Sequence, residues 1–97
     1  MTQETEIVVG IDCAQEKHQY QISTKQGTTL SKGQLLNSKK HARNFVKKLE
    51  EIAPKEKVII GMEATNNYHI CLQTYLVSNG YNVIVINPLK TSAYKQI

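Results

Sequence analysis

The sequence is 97 residues long, 40% hydrophobic and 21% charged, which fits one small globular domain and excludes a disordered chain or a multidomain enzyme. Twelve Lys and Arg against eight Asp and Glu give a net charge of +4, a mild bias toward a polyanionic partner. No apolar run approaches the roughly 20 residues of a membrane span, the N-terminus has no secretory layout, and Cys13 and Cys71 stand singly, so the reading is a cytoplasmic protein without a membrane partner.

Residues 1–5 are polar and read as a frayed end. Residues 6–12, EIVVGID, are a short β-branched run and predict a buried strand, with Gly10 marking close approach of another group. Residues 18–24 alternate polar positions with Tyr20 and Ile22, as a half-buried strand does. Lys25-Gln26-Gly27 predicts a hairpin turn, and residues 28–36 predict a third strand that Gly33 interrupts.

Ser38 is a good N-cap for a helix. Ala42, Phe45, Val46, Leu49, Ile52 and Ala53 then recur at helical spacing, and Pro54 ends the run. Residues 57–61, KVIIG, predict a second buried strand running into Met62 and Glu63. Thr65 can cap a second helix carrying Tyr68, Leu72, Tyr75 and Leu76 on one face, with Asn79-Gly80 as its stop. Residues 82–86, NVIVI, predict a third buried strand, and Asn87-Pro88 opens a last helix.

The predicted order is β-β-β-α-β-α-β-α. An antiparallel meander leading into parallel crossover units gives an α/β, mixed five-stranded sheet with helices on its faces. No stop signal precedes Ile97, so residues 1–97 read as the front part of one domain in a longer protein.

Asp12 is the sole aspartate and falls at the end of the first predicted strand. Glu63 falls at the end of the fourth. In α/β sheets the functional crevice lies at the carboxyl ends of parallel strands. Neighbouring strands would aim both acids into it, where like charges are tolerated around a cation. Oxygen-only ligands favour a hard ion such as Mg²⁺, with Mn²⁺ able to substitute. The ordinary alternative is a pair of carboxylates capping turns. Cys13, next to Asp12, would point to the opposite face and pack in the core.

Lys39, Arg43 and Lys47 recur every four residues on the first helix. Such a row suits phosphate contact, and equally suits the solvated face of any surface helix. His69 lies six residues beyond Glu63, where it could contact a phosphate or assist proton transfer; Lys90 and Tyr94 follow the last strand on the crevice side.

Gly10-Ile11-Asp12-Cys13-Ala14 with His18 resembles the first motif of the DEDD transposases, the RuvC-like transposases of insertion sequence 110 that include Piv-type DNA invertases. Met62-Glu63-Ala64-Thr65 with Tyr68 and His69 resembles the second motif, and Asn87-Pro88 with Lys90 and Tyr94 the third. The resemblance implies a ribonuclease-H-like fold. It implies Asp12 and Glu63 as the first D and the E of a metal-binding tetrad, and Mg²⁺-dependent cutting and rejoining of DNA in transposition. It further implies an element-encoded guide RNA in some members and a homo-oligomer in the full-length protein. Gln15 stands where the family usually has lysine, and Asn66 where it commonly has glycine. The last two aspartates have no counterpart in these 97 residues, so the expectation is a fragment inactive alone.

Two other readings compete. One is a non-catalytic nucleic-acid-binding or assembly module, in which the Arg43 row matters and the acids do not. The other is an actin-like or sugar-kinase half-domain, for which Cys13-Ala14-Gln15 lacks the Gly-rich turn that holds ATP phosphates.

Overall fold

Alternating burial along the first strand sets the architecture. In β1 (Ile7–Asp12) every second side chain is buried and the others are exposed, so the strand has one packed face and one open face. The computed structural model describes residues 5–64 and 67–86. β2 (Lys17–Thr24) and β3 (Thr29–Leu36) follow as antiparallel strands. The hairpin between β2 and β3 turns at Gly27, whose φ of 103° lies in the left-handed region. Next come α1 (Lys39–Ile52), a short 3-10 turn over Lys55–Lys57, β4 (Val58–Glu63), α2 (Ile70–Ser78) and β5 (Asn82–Ile86).

The sheet order is β3-β2-β1-β4-β5, with β1 parallel to β4 and β4 parallel to β5. This is the mixed five-stranded sheet that the strand order predicts, and it is consistent with the ribonuclease-H-like fold that the resemblance implies. The final predicted helix, with Asn87 and Pro88, lies outside the described residues.

α1 forms where its sequence favours it. The Ser38 side chain accepts from the His41 N–H, a cap that contributes about 1 kcal/mol. Ala42, Phe45, Val46 and Leu49 are buried on one face, and Phe45 packs on Tyr20 with ring centroids 4.9 Å apart. Burying each of the larger apolar side chains contributes roughly 1.5–3 kcal/mol. Leu49→Ala would remove the most enclosed of them and cost about 2–5 kcal/mol. Leu72 and Leu76 of α2 join the same core, with Val9, Ile11, Ile22, Ile60 and Met62 of the sheet.

Four expectations are corrected. Both described helices cover one face of the sheet, so the other face is open among the described residues. β5 is not a buried strand: Ile84 is 49% and Ile86 47% exposed, because β5 ends the sheet and its outward residues lie on the open face. Gly10 meets no close neighbour, since its missing side chain would project from that open face with nothing within 4 Å. The close approach is instead at Gly33, where a Cβ would stand 3.1 Å from the Tyr20 hydroxyl, and β3 runs through Gly33 without a break.

The fourth concerns α2. It begins at Ile70, and Asn67, Tyr68 and His69 form a turn, with the Ile70 N–H donating to the Asn67 carbonyl. Asparagine favours such turns over helix. Tyr68 therefore precedes the helix, and the predicted cap Thr65 lies outside the described residues.

Candidate metal centre and its surroundings

Asp12 and Glu63 are register partners on the adjacent parallel strands β1 and β4. Both are exposed and both belong to the open face, because they alternate with the buried Ile11 and Met62. Adjacent strands are about 4.8 Å apart, so the two carboxylates leave the sheet side by side. The Cys13 N–H donates to the Glu63 carbonyl at 3.1 Å, which closes the β1–β4 ladder at the row of the two acids.

Neither carboxylate has a hydrogen-bond or ion-pair partner among the described residues. The salt bridge found there joins Lys57 and Glu6 at 3.3 Å, at the opposite end of the strands. The acids border an open trough of about 970 Å³ along the sheet. Gly10 and Gly61, one side chain back on the same strands, give it a low floor, flanked by Val8, Ile59 and Ile84. Gln19 stands beside Asp12 in register, and Gln34 beside Gln19, so neutral amides continue the carboxylate row toward the β3 edge.

Two carboxylates on one face, without a partner among the described residues, fit a hard divalent cation by donor chemistry. They are two donors only: the described residues hold no group of three or more His, Cys, Asp or Glu suited to a metal.

Cys13 points the other way. It is buried, and burial together with the nearby Asp12 charge pushes its thiol up to about 11. It stays protonated and belongs to the core.

Lys39, Arg43 and Lys47 are all exposed on α1. Since α1 covers the face opposite the acids, the basic row and the carboxylate pair lie on opposite sides of the sheet. His69 is half-buried at the start of α2, its Nδ1 without a partner among the described residues, and it does not line the trough. Lys90 and Tyr94 lie outside the described residues.

Two residues near the acids carry more than their sequence context revealed. His18 is fully buried, and its Nδ1 accepts from the Ala14 N–H at 3.1 Å, in the loop that follows Asp12. Burial holds its pKa below the ordinary 6.5, and the Asn37 amide offsets part of that shift. Asn37 carries no sequence signal beyond preceding a good N-cap, because its partners are far away in the chain.

A family model described as a transposase, that of the DEDD transposases of insertion sequence 110, matches residues 9–97. No curated protein matches the sequence. Among solved structures, Archaeoglobus fulgidus Pelota is similar with a TM-score of 0.58 at 10% identity, over 87% of this chain and 27% of that one. The foamy viral protease–reverse transcriptase in complex with an RNA/DNA hybrid is similar at a TM-score of 0.48 and 10% identity, over 88% of this chain and 16% of that one. An Aquifex aeolicus member of the Ppx/GppA family gives a TM-score of 0.43 and 16% identity, over 84% and 35%. The chain thus spans well under two thirds of each of these proteins. At 10% identity the Pelota likeness is one of fold alone.

Proposed function

This chain belongs to the DEDD transposase family of insertion sequence 110, and we propose that it forms the N-terminal part of the catalytic domain, residues 1–97, of an enzyme that cuts and rejoins DNA. Family membership supports DNA as the partner. Asp12 and Glu63 would hold a divalent cation, Mg²⁺ with Mn²⁺ as substitute, at the ends of β1 and β4. What carries this reading is one observation: two carboxylates, without a partner among the described residues, at the same register on neighbouring parallel strands and facing an open trough.

Such an ion would supply Lewis acidity at a phosphoryl oxygen and would lower the pKa of an attacking hydroxyl or water. The chain's own residues do the rest of the positioning. The β1–β4 ladder fixes the spacing of the two carboxylates, and their mutual repulsion favours taking up a cation between them. Gly10 and Gly61 keep the floor beside them low, so that a sugar–phosphate backbone can approach without meeting side chains. On the other side of the sheet, Lys39, Arg43 and Lys47 supply sequence-independent phosphate contacts.

The test is strand cleavage by the transposase that carries this sequence, with Asp12→Asn and Glu63→Gln made singly and together. Each change should abolish cleavage while DNA binding persists. Cleavage at the normal rate in the double variant would overturn the reading.

A further inference from the structure

The sequence carries no acidic residue between Glu16 and Glu50, and β2 and β3 lie wholly inside that stretch. Lys17, Gln19 and Gln21 alternate with the buried His18 and Ile22, so they share the open face with Asp12 and Glu63. Gln19 is the register partner of both Asp12 and Gln34, and Gln21 of both Gly10 and Lys32. Lys17 stands one step beyond Gln19 on the same face, diagonal to Asp12 across the antiparallel pair and about 7–8 Å from it. Both lysines are exposed, and neither forms an ion pair among the described residues. The Gln21 amide donates to Thr29 Oγ1 at 3.0 Å, whereas the amides of Gln19 and Gln34 have no side-chain partner among the described residues. Across the Gly10–Gly61 floor the opposite wall of the trough is apolar, formed by Val8, Ile59 and Ile84.

We infer that the β2–β3 side of the open face seats a single DNA strand at the carboxylate pair: Lys17 and Lys32 bind its phosphates on either side of the acid row, and the Gln19 and Gln34 amides donate to it beside Asp12. This deepens the proposed function and rests on it. The α1 row cannot serve here, because it lies on the other side of the sheet from the acids. Charge and chemistry fit a phosphodiester: two free ammonium groups match two phosphates, and primary amides donate to phosphate oxygens or base edges. Shape selects a single strand. Such a strand carries phosphates along one side and sugar and base surface along the other, which matches a trough with one polar and one apolar wall. A duplex turns its phosphates outward all round and leaves the Val8, Ile59 and Ile84 wall without a counterpart. Bare carboxylates at Asp12 and Glu63 repel the strand, so cation and strand strengthen each other's binding.

The experiment titrates the chain with oligothymidylate in Mg²⁺ and follows the backbone amides and the glutamine side-chain NH₂ signals by NMR. The NH₂ signals of Gln19 and Gln34 and the amides around Lys17 and Lys32 should shift together, and the affinity should drop when EDTA removes the Mg²⁺. In the variant carrying both Lys17→Gln and Lys32→Gln, the slope of log affinity against log salt should become shallower by about 0.7 per lost phosphate contact, about 1.4 for the pair. Shifts confined to α1, or an unchanged slope in the double variant, overturn the inference and leave the metal site standing. Oligouridylate bound more tightly than oligothymidylate also overturns it, since the occupant would then be RNA. Mn²⁺ broadening at Asp12 and Glu63, measured without nucleic acid, should persist in the double variant because neither lysine is a ligand. If that broadening is missing from the wild-type chain, the metal-site reading fails and the inference falls with it.

Discussion

Asp12 and Glu63 stand at the same register position on neighbouring parallel strands, and the Cys13 N–H bonds to the Glu63 carbonyl immediately beyond them. Two like charges are thereby fixed next to each other by backbone hydrogen bonds, not by the side chains themselves. A folded protein bears that repulsion most readily where a cation resolves it.

The glycines of the two faces behave oppositely. A Cβ at Gly10 meets nothing within 4 Å, so Gly10→Ala should stabilise the chain by about 0.5–1 kcal/mol through lost unfolded-state freedom. A Cβ at Gly33 would press on the Tyr20 hydroxyl and ring, and Tyr20 is held against Phe45. Gly33→Ala should therefore destabilise by about 1–3 kcal/mol. Urea midpoints of the two variants check the signs, and equal shifts would refute the one-sided packing.

Acid should weaken the fold through His18. Its folded pKa lies below the ordinary 6.5, so the unfolded chain binds a proton first as the pH drops. Stability is complete above about pH 6.5 and declines below it, by at most about 1.4 kcal/mol per pH unit from this group. Between pH 7 and 5.5 the urea midpoint of the wild type should fall more steeply than that of His18→Asn, which keeps an acceptor for the Ala14 N–H. Parallel profiles would mean that His18 charges freely in the folded state.

The basic row makes a prediction about salt. Replacing Lys39, Arg43 and Lys47 together with glutamine should weaken duplex DNA binding for all sequences alike. The slope of log affinity against log salt should become shallower by up to about 0.9 per lost phosphate contact. An unchanged slope would identify the row as a solvated helix face.

Much of this was legible in the sequence, and the reasons differ by residue. The Ser38 cap, the apolar stripe of α1, the Gly27 turn and the strand-end placement of Asp12 and Glu63 depend on local patterns, which the sequence displays directly. Coverage of the sheet does not. EIVVGID and NVIVI have the apolar composition of strands packed on both faces, yet Val8 and Ile84 face outward because the described helices both lie on the other side. Gly10 and Gly33 look alike in sequence, and only the cross-strand position of Tyr20 separates them. Asn37 stayed hidden because its side-chain partners are 22 and 31 residues away.

The most direct test of the metal site is amide NMR of the 97-residue chain titrated with Mn²⁺, alongside Asp12→Asn. Paramagnetic broadening should appear first and together at the amides around Asp12 and Glu63, and it should vanish from both places in the variant. Broadening that survives Asp12→Asn, or that gathers at the α1 acids Glu50 and Glu51 instead, would contradict a shared metal site at the ends of β1 and β4.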